Sequence, residues 1–194
     1  LKKNYSKSKS IKKKILIAGQ PLSDLNYLKD YFRDLAKTLK IYKKKLVIFY
    51  RPHPAEEAHT QMMKKIFNKH NLKVKITQKK NLYDDLLEID LLISVNSTIA
   101  IDYNYMNFFL KKKGYAIYYI NNKKMKKIFN QINLYSKMNF AKEVNTKKQL
   151  NRLINKVTNS KLIANPLTNE FNHSESNFKD FLTKINIIIN SNSI

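Results

Sequence analysis

The sequence predicts an α/β fold: an open, mostly parallel sheet, doubly wound, with helices on both faces. Three observations carry that expectation. Short apolar runs of strand length alternate with stretches of helical periodicity, the rhythm yields five strands, and no cysteine is present to staple a smaller, loop-rich scaffold. A chain of 194 residues can bury one substantial core. Residues 11–194 are therefore read as a single domain, and residues 1–10, rich in Lys and Ser, as a linker or tether.

The first strand is Ile15 to Ala18 in "KKKILIAGQ", broken by Gly19. "PLSDLNYLKDYFRDLAKTLK" then places Leu25, Leu28, Phe32, Leu35 and Leu39 at spacings of 3, 4, 3 and 4, which is one face of a helix. Ser23 is positioned to cap it, Asp24 falls in its first turn, and lysines crowd its last turn, as the macrodipole favours. "KLVIFY" is the second strand and "AEEAHTQMMKKIFNKH" the second helix, with Ala58, Met62, Ile66 and Phe67 inward. "LKVKIT" alternates as a half-buried or edge strand does. "NLYDDLLEI" is a short helix whose Asp84 and Asp85 point different ways into solvent, as Glu56 and Glu57 do on the helix before it. "DLLISV" is a central strand, "NSTIAIDYNYMN" a helix despite its β-branched residues, and "YAIYYI", after Gly114, the fifth strand. "KKMKKIFNQI" and "TKKQLNRLINKV" read as helices. In "SNFKDFLTKINIII", Phe178, Phe181, Leu182, Ile185 and Ile189 make one helical stripe, a strand end being the alternative.

The formal charge of +24 points first to nucleic acid, because clustered cations neutralise phosphates. The kind of cation argues against it. Lys outnumbers Arg 35 to 3, while Asn (24) and Ile (22) are also inflated, a pattern AT-rich codons produce without any partner. Surfaces that read bases or clamp phosphates favour the planar fork of Arg. The lysines are also spread from end to end, so the charge is read as a solvated surface, with an anionic membrane as a further partner. No apolar run approaches the length of a membrane span and the N-terminal stretch lacks the apolar core of a secretory signal.

In sheets of this kind ligands sit beyond the carboxyl ends of the strands, so polar and special residues should gather there. After strand one come Gly19, Gln20 and Pro21: a tight turn with a side-chain amide to offer, or an ordinary turn into a helix. After strand two, "RPHP" holds one of three arginines and one of four histidines between half of the prolines. Pro52 and Pro54 fix φ and push Arg51 and His53 toward extended backbone, so a guanidinium and an imidazole keep set directions. Both suit a phosphate, Arg as a bidentate donor and His as a donor whose proton can pass to a leaving oxygen. After strand four, Ser94, Asn96, Ser97 and Thr98 lead into a helix start, where hydroxyls and amides cradle phosphate or simply cap the helix. Asp102, one turn on, is placed either to touch a ribose or sugar or to stand in solvent. His59, His70 and His173 are read as structural or solvated. No metal-ligand spacing, dinucleotide fingerprint, P-loop, triad or carboxylate pair is found.

Together, "GQPLSD", "RPHP" and "SVNST" after "IDLLIS" resemble the donor-binding, C-terminal half of bacterial GT-B glycosyltransferases of the sialyltransferase and polysialyltransferase type, over residues 12–120. Capsule glycosyltransferases and teichoic-acid polymerases that use CDP-glycerol share that architecture. The resemblance implies a Rossmann-like half of a GT-B fold, a nucleotide-sugar donor such as a CMP-sugar, and inverting transfer of sialic acid or a related acid to a glycan or glycolipid acceptor. It implies capsule or lipopolysaccharide biosynthesis in the cytoplasm, peripheral to the inner membrane face, with no cofactor. His53 then contacts and helps protonate the departing phosphate, Ser97 and Thr98 bind it, and Gln20 and Pro21 lie beside the donor. The family's catalytic acidic residue belongs to an N-terminal half that nothing here matches. The chain, which starts at Leu1 rather than Met, is therefore expected to be the C-terminal part of a longer enzyme, partnered by that half. The rivals are a UDP-sugar or CDP-polyol transferase on the same fold, and a non-enzymatic basic module binding nucleic acid or anionic membrane.

Overall fold

The computed structural model describes residues 12–22, 24–54, 57–77, 82–110, 112–123, 126–127 and 141–159. Its strands are β1 (Lys13–Ala18), β2 (Leu46–Arg51), β3 (Val74–Ile76), β4 (Leu91–Ser94), β5 (Tyr115–Tyr119) and β6 (Lys142–Val144). Its helices of five or more described residues are α1 (Leu25–Lys40), α2 (Glu57–Lys69), the short α3 (Leu82–Leu86), α4 (Ile99–Phe109) and α5 (Lys147–Thr158). The strands form one sheet in the order β3-β2-β1-β4-β5-β6, and every neighbouring pair is parallel. The open α/β arrangement, Rossmann-like, is thus present, with one strand more than the sequence rhythm offered. Residues 1–10 and the apolar stripe near residue 185 lie outside the described residues, as does most of the helix expected over residues 123–132, of which 123, 126 and 127 are described and helical.

Burial follows from sheet position. β1 and β4 lie at the centre, and Ile15, Leu16, Ile17, Leu91, Leu92 and Ile93 are fully buried, as strands covered on both faces require. β3 alternates between partly buried and exposed residues, as an edge strand does. Helix α1 packs against α2 and α5 on one face, while α3 and α4 meet on the other. The Tyr42 hydroxyl, on the turn after α1, donates to Asn151 Oδ1 of α5 at 2.8 Å and ties that face together. The core is rich in tyrosine, and a buried hydroxyl needs a partner. Tyr103 donates to Ile89 O at 2.7 Å and Tyr118 to Ser97 O at 3.1 Å.

The local rules mostly hold, with informative departures. Leu28, Phe32, Leu35 and Leu39 of α1 are buried as expected, but so are Tyr27, Tyr31 and Ala36, because α2 and α5 flank the helix on both sides. Its cap is Asp24, whose carboxylate accepts from Tyr27 N at 3.0 Å; Ser23 lies outside the described residues. The inward residues of α2 are His59, Met63 and Phe67, with Met62 and Ile66 only partly buried, so the expected stripe was one position off centre. Helix α2 closes on Asn71, which takes a left-handed φ of 56°, and Leu72 N donates back to Phe67 O at 3.1 Å. Asp85 corrects the sequence reading most sharply. It is buried rather than solvated, whereas Asp84 beside it is exposed.

Candidate functional site

The chain leaves β1 toward β2 and β3, then crosses back to build β4, β5 and β6 on the other side. Loops leaving the carboxyl ends of β1 and β4 therefore diverge and open a crevice. The β1 loop begins at Gly19, whose φ is not in the left-handed region and whose N–H donates to Arg51 O at 2.8 Å. Glycine's conformational freedom is not used there. Leu22 N donates to Gln20 O at 2.8 Å across Pro21, a three-residue turn that suits the fixed φ of proline. The Gln20 side chain reaches over the crevice, where its Oε1 accepts from Asn96 N at 2.6 Å. That bond joins the β1 and β4 loops directly.

On the β4 side most polar groups hold the loop itself. Buried Ser94 accepts at Oγ from Ser97 N at 3.4 Å, and Ser97 Oγ accepts from Ile99 N, the first residue of α4, at 3.3 Å. Ala100 N donates to Ser97 O at 3.2 Å and Ile101 N to Thr98 O at 2.8 Å. The amides expected to cradle a phosphate at residues 97 and 99–101 are thus already engaged. Thr98 is exposed, and the Oδ1 of the partly buried Asn96 is enclosed with no hydrogen-bond partner among the described residues. Asp102 is half-buried in the first turn of α4, and desolvation holds its carboxyl above the usual range despite the helix dipole.

The β2 loop stands one strand further out. Arg51 turns its guanidinium to the buried carboxylate of Asp85, to which the Thr77 hydroxyl also donates, so it is anchored toward β3 and α3. His53 and Pro54 beyond it are exposed at the strand end. Since β2 and β4 flank β1, their axes are about 10 Å apart. The structure thus brings Gly19, Gln20, Ser94, Asn96, Ser97 and Thr98 together around one crevice, and sets Arg51, His53 and Pro54 on its flank.

The same edge continues over β5 and β6 with residues the sequence reading passed by. Asn121 Nδ2 donates to Asp34 Oδ2 at 2.6 Å, Lys147 Nζ meets Asp34 Oδ1 at 2.6 Å, and the Tyr119 hydroxyl approaches the same carboxylate at 3.5 Å. Burial, with Asp34 beside it, pushes the Tyr119 hydroxyl pKa up. Asn121 Oδ1, Asn145 Oδ1 and Tyr27 Oη are buried with no hydrogen-bond partner among the described residues. The signal was present as the polar pair Asn121 and Asn122 directly after "YAIYYI", the same pattern that marked the other strand ends.

Chemically, this edge offers amide, hydroxyl and imidazole groups to a polar ligand. Among the described residues no group of three His, Cys, Asp or Glu could hold a metal ion. No protein-family model and no curated protein matches this chain.

Proposed function

We propose that this chain is the donor-binding domain of a glycosyltransferase that takes a nucleotide-sugar, a CMP-linked sialic acid or related acid in the first instance, and passes the sugar to a surface-glycan acceptor. The observation that carries the reading is the bond from Asn96 N to Gln20 Oε1. It makes "GQPLSD" and "SVNST", two of the three motifs behind the family resemblance, facing walls of one crevice at the topological switch point.

Each group then has work suited to its chemistry. Asn96 Oδ1, an acceptor with no partner among the described residues, takes a hydroxyl or amino group of the nucleotide. The Thr98 hydroxyl donates to the phosphate. His53, exposed on the flank, gives its proton to the phosphate oxygen as the bond from that oxygen to the anomeric carbon breaks. The acceptor oxygen forms the new bond to that carbon from the opposite side. Its own proton passes to a base on another part of the enzyme. Arg51 serves by anchoring the loop through Asp85 rather than by touching the ligand.

The test is a titration of the chain with CMP, CDP, UMP and UDP, following the His53 ring and the Asn96 and Thr98 amides by NMR. CMP is expected to move all three. Preferential response to UDP or CDP redirects the reading to a UDP-sugar or CDP-polyol donor, and no response at about 1 mM, a bound already weaker than about 4 kcal/mol of binding, ends it.

A further inference from the structure

In a parallel α/β sheet every strand starts, and every helix between strands ends, at the pole opposite the ligand crevice. Lysines that look evenly spread in the sequence gather there. Residues 12–14, 43–45 and 112–113 are all lysine, and each run opens a strand or ends within two residues of its start. The runs are neighbours in space: Lys13 N donates to Lys45 O at 2.9 Å, Asp90 N to Lys14 O at 2.8 Å, and Tyr115 N to Asp90 O at 3.2 Å. The acids among them, Glu88 and Asp90, are met by Lys14 at 2.5 Å and Lys13 at 3.1 Å. Residues 43–45 and 112–113 also follow the C-terminal ends of α1 and α4, where cations answer the macrodipole, whereas residues 12–14 follow no described helix.

The same pole carries the exposed aliphatic side chains. Four large hydrophobic residues stand exposed among those described, and three of them, Ile41 (67%), Leu87 (45%) and Leu110 (53%), follow the ends of α1, α3 and α4. Ile41 lies between Lys40 and the run 43–45. Leu87 and Leu110 are linked through Lys112, whose ammonium donates to Leu87 O and whose N–H donates to Asn107 O at the end of α4. Aliphatic groups set among ammonium groups have no role against a phosphate backbone in water. They do have one at a bilayer, where apolar side chains seat at the boundary of headgroups and acyl chains while lysines attract the anionic surface.

We infer that this strand-start pole docks on an anionic lipid bilayer, with Ile41, Leu87 and Leu110 seated among headgroups that the surrounding lysines attract. The crevice then faces away from the membrane, about 20 Å above it, the length of a six-residue strand. This docking stands whether or not the crevice takes a nucleotide, because it draws on different residues.

The experiment is co-sedimentation of the full 194-residue chain with phosphatidylcholine vesicles, with and without phosphatidylglycerol, at about 0.15 M salt. The chain is expected to bind only the anionic vesicles. The double reversal K43E/K44E should weaken partition about tenfold or more, and K29E/K148E, an equal charge change toward the crevice side, by less than about threefold. I41S/L110S should also weaken it and leave the remainder more sensitive to salt. All these positions are exposed, and far-UV circular dichroism checks each fold; K12E/K113E replaces any variant that fails. Absence of binding to anionic vesicles overturns the inference. So do equal losses from the two charge reversals, unchanged binding by I41S/L110S, or binding of duplex RNA in place of vesicles.

Discussion

Arg51 illustrates what a single residue discloses and what it hides. Its rarity and its place between a strand and a proline marked it as special, and it is: it holds a buried carboxylate at the end of β2. The partner was not legible, because α3 has five residues and so short a segment has no readable period to tell its buried Asp85 from its exposed Asp84. Removing either member strands a charge, so this pair is a fixture of the fold. Asp102 leads to a prediction. Desolvation makes the folded state hold its proton more tightly than the unfolded chain does. The charged form therefore weighs against folding: stability falls as pH rises from the ordinary carboxylate value near about 4 through the raised folded value, then levels off. Asp102→Asn removes that penalty. Its thermal midpoint should exceed that of the parent at about pH 7 and match it at about pH 3. A midpoint lower at neutral pH would mean that the carboxylate is held by favourable contacts instead.

At the scale of elements, periodicity was most reliable where helices were long and strands central. β1, β4 and α1 stood out because their apolar residues are dense and their neighbours cover both sides. β6 escaped because it has three residues, of which only Val144 is buried, too few to alternate. The connection from α4 to β5 rests on Gly114, chosen for space rather than for backbone conformation. A methyl group there would overlap the Tyr103 hydroxyl and the Asn107 side-chain nitrogen. Tyr103 cannot give way, since it is fully buried and its hydroxyl is bonded to Ile89 O at 2.7 Å. Gly114→Ala is therefore an overpacking change and should cost about 1–3 kcal/mol in urea unfolding with an unchanged denaturant slope. A loss below about 0.5 kcal/mol, the scale of an ordinary surface substitution, would show that the neighbours relax.

Across the whole molecule, the fold converts an even distribution of lysine along the chain into two unlike poles. The rhythm of strand and helix was readable, and so was the gathering of polar residues at one edge. The opposite pole was not, because it is assembled from strand starts and helix ends far apart in sequence. His70, at the end of α2, reports on how crowded its cations are. Burial, and then Lys40, Lys37, Lys69 and Arg33, hold its imidazole pKa below the usual value. The imidazolium is thus disfavoured in the folded state, so stability is full above the ordinary pKa near about 6.5 and declines as pH falls through it. The two causes respond differently to salt. Screening shortens the reach of the four cations, with a Debye length near about 30 Å at 0.01 M and about 6 Å at 0.3 M, but leaves burial unchanged. An NMR titration of the His70 ring should therefore give a pKa that climbs toward the ordinary value between those salt levels without reaching it. Anionic phosphatidylglycerol vesicles, added at low salt, should raise it in the same direction by supplying countercharge at the pole. A pKa that ignores both salt and vesicles would mean that burial alone sets it and that these cations lie too far apart to act as one surface.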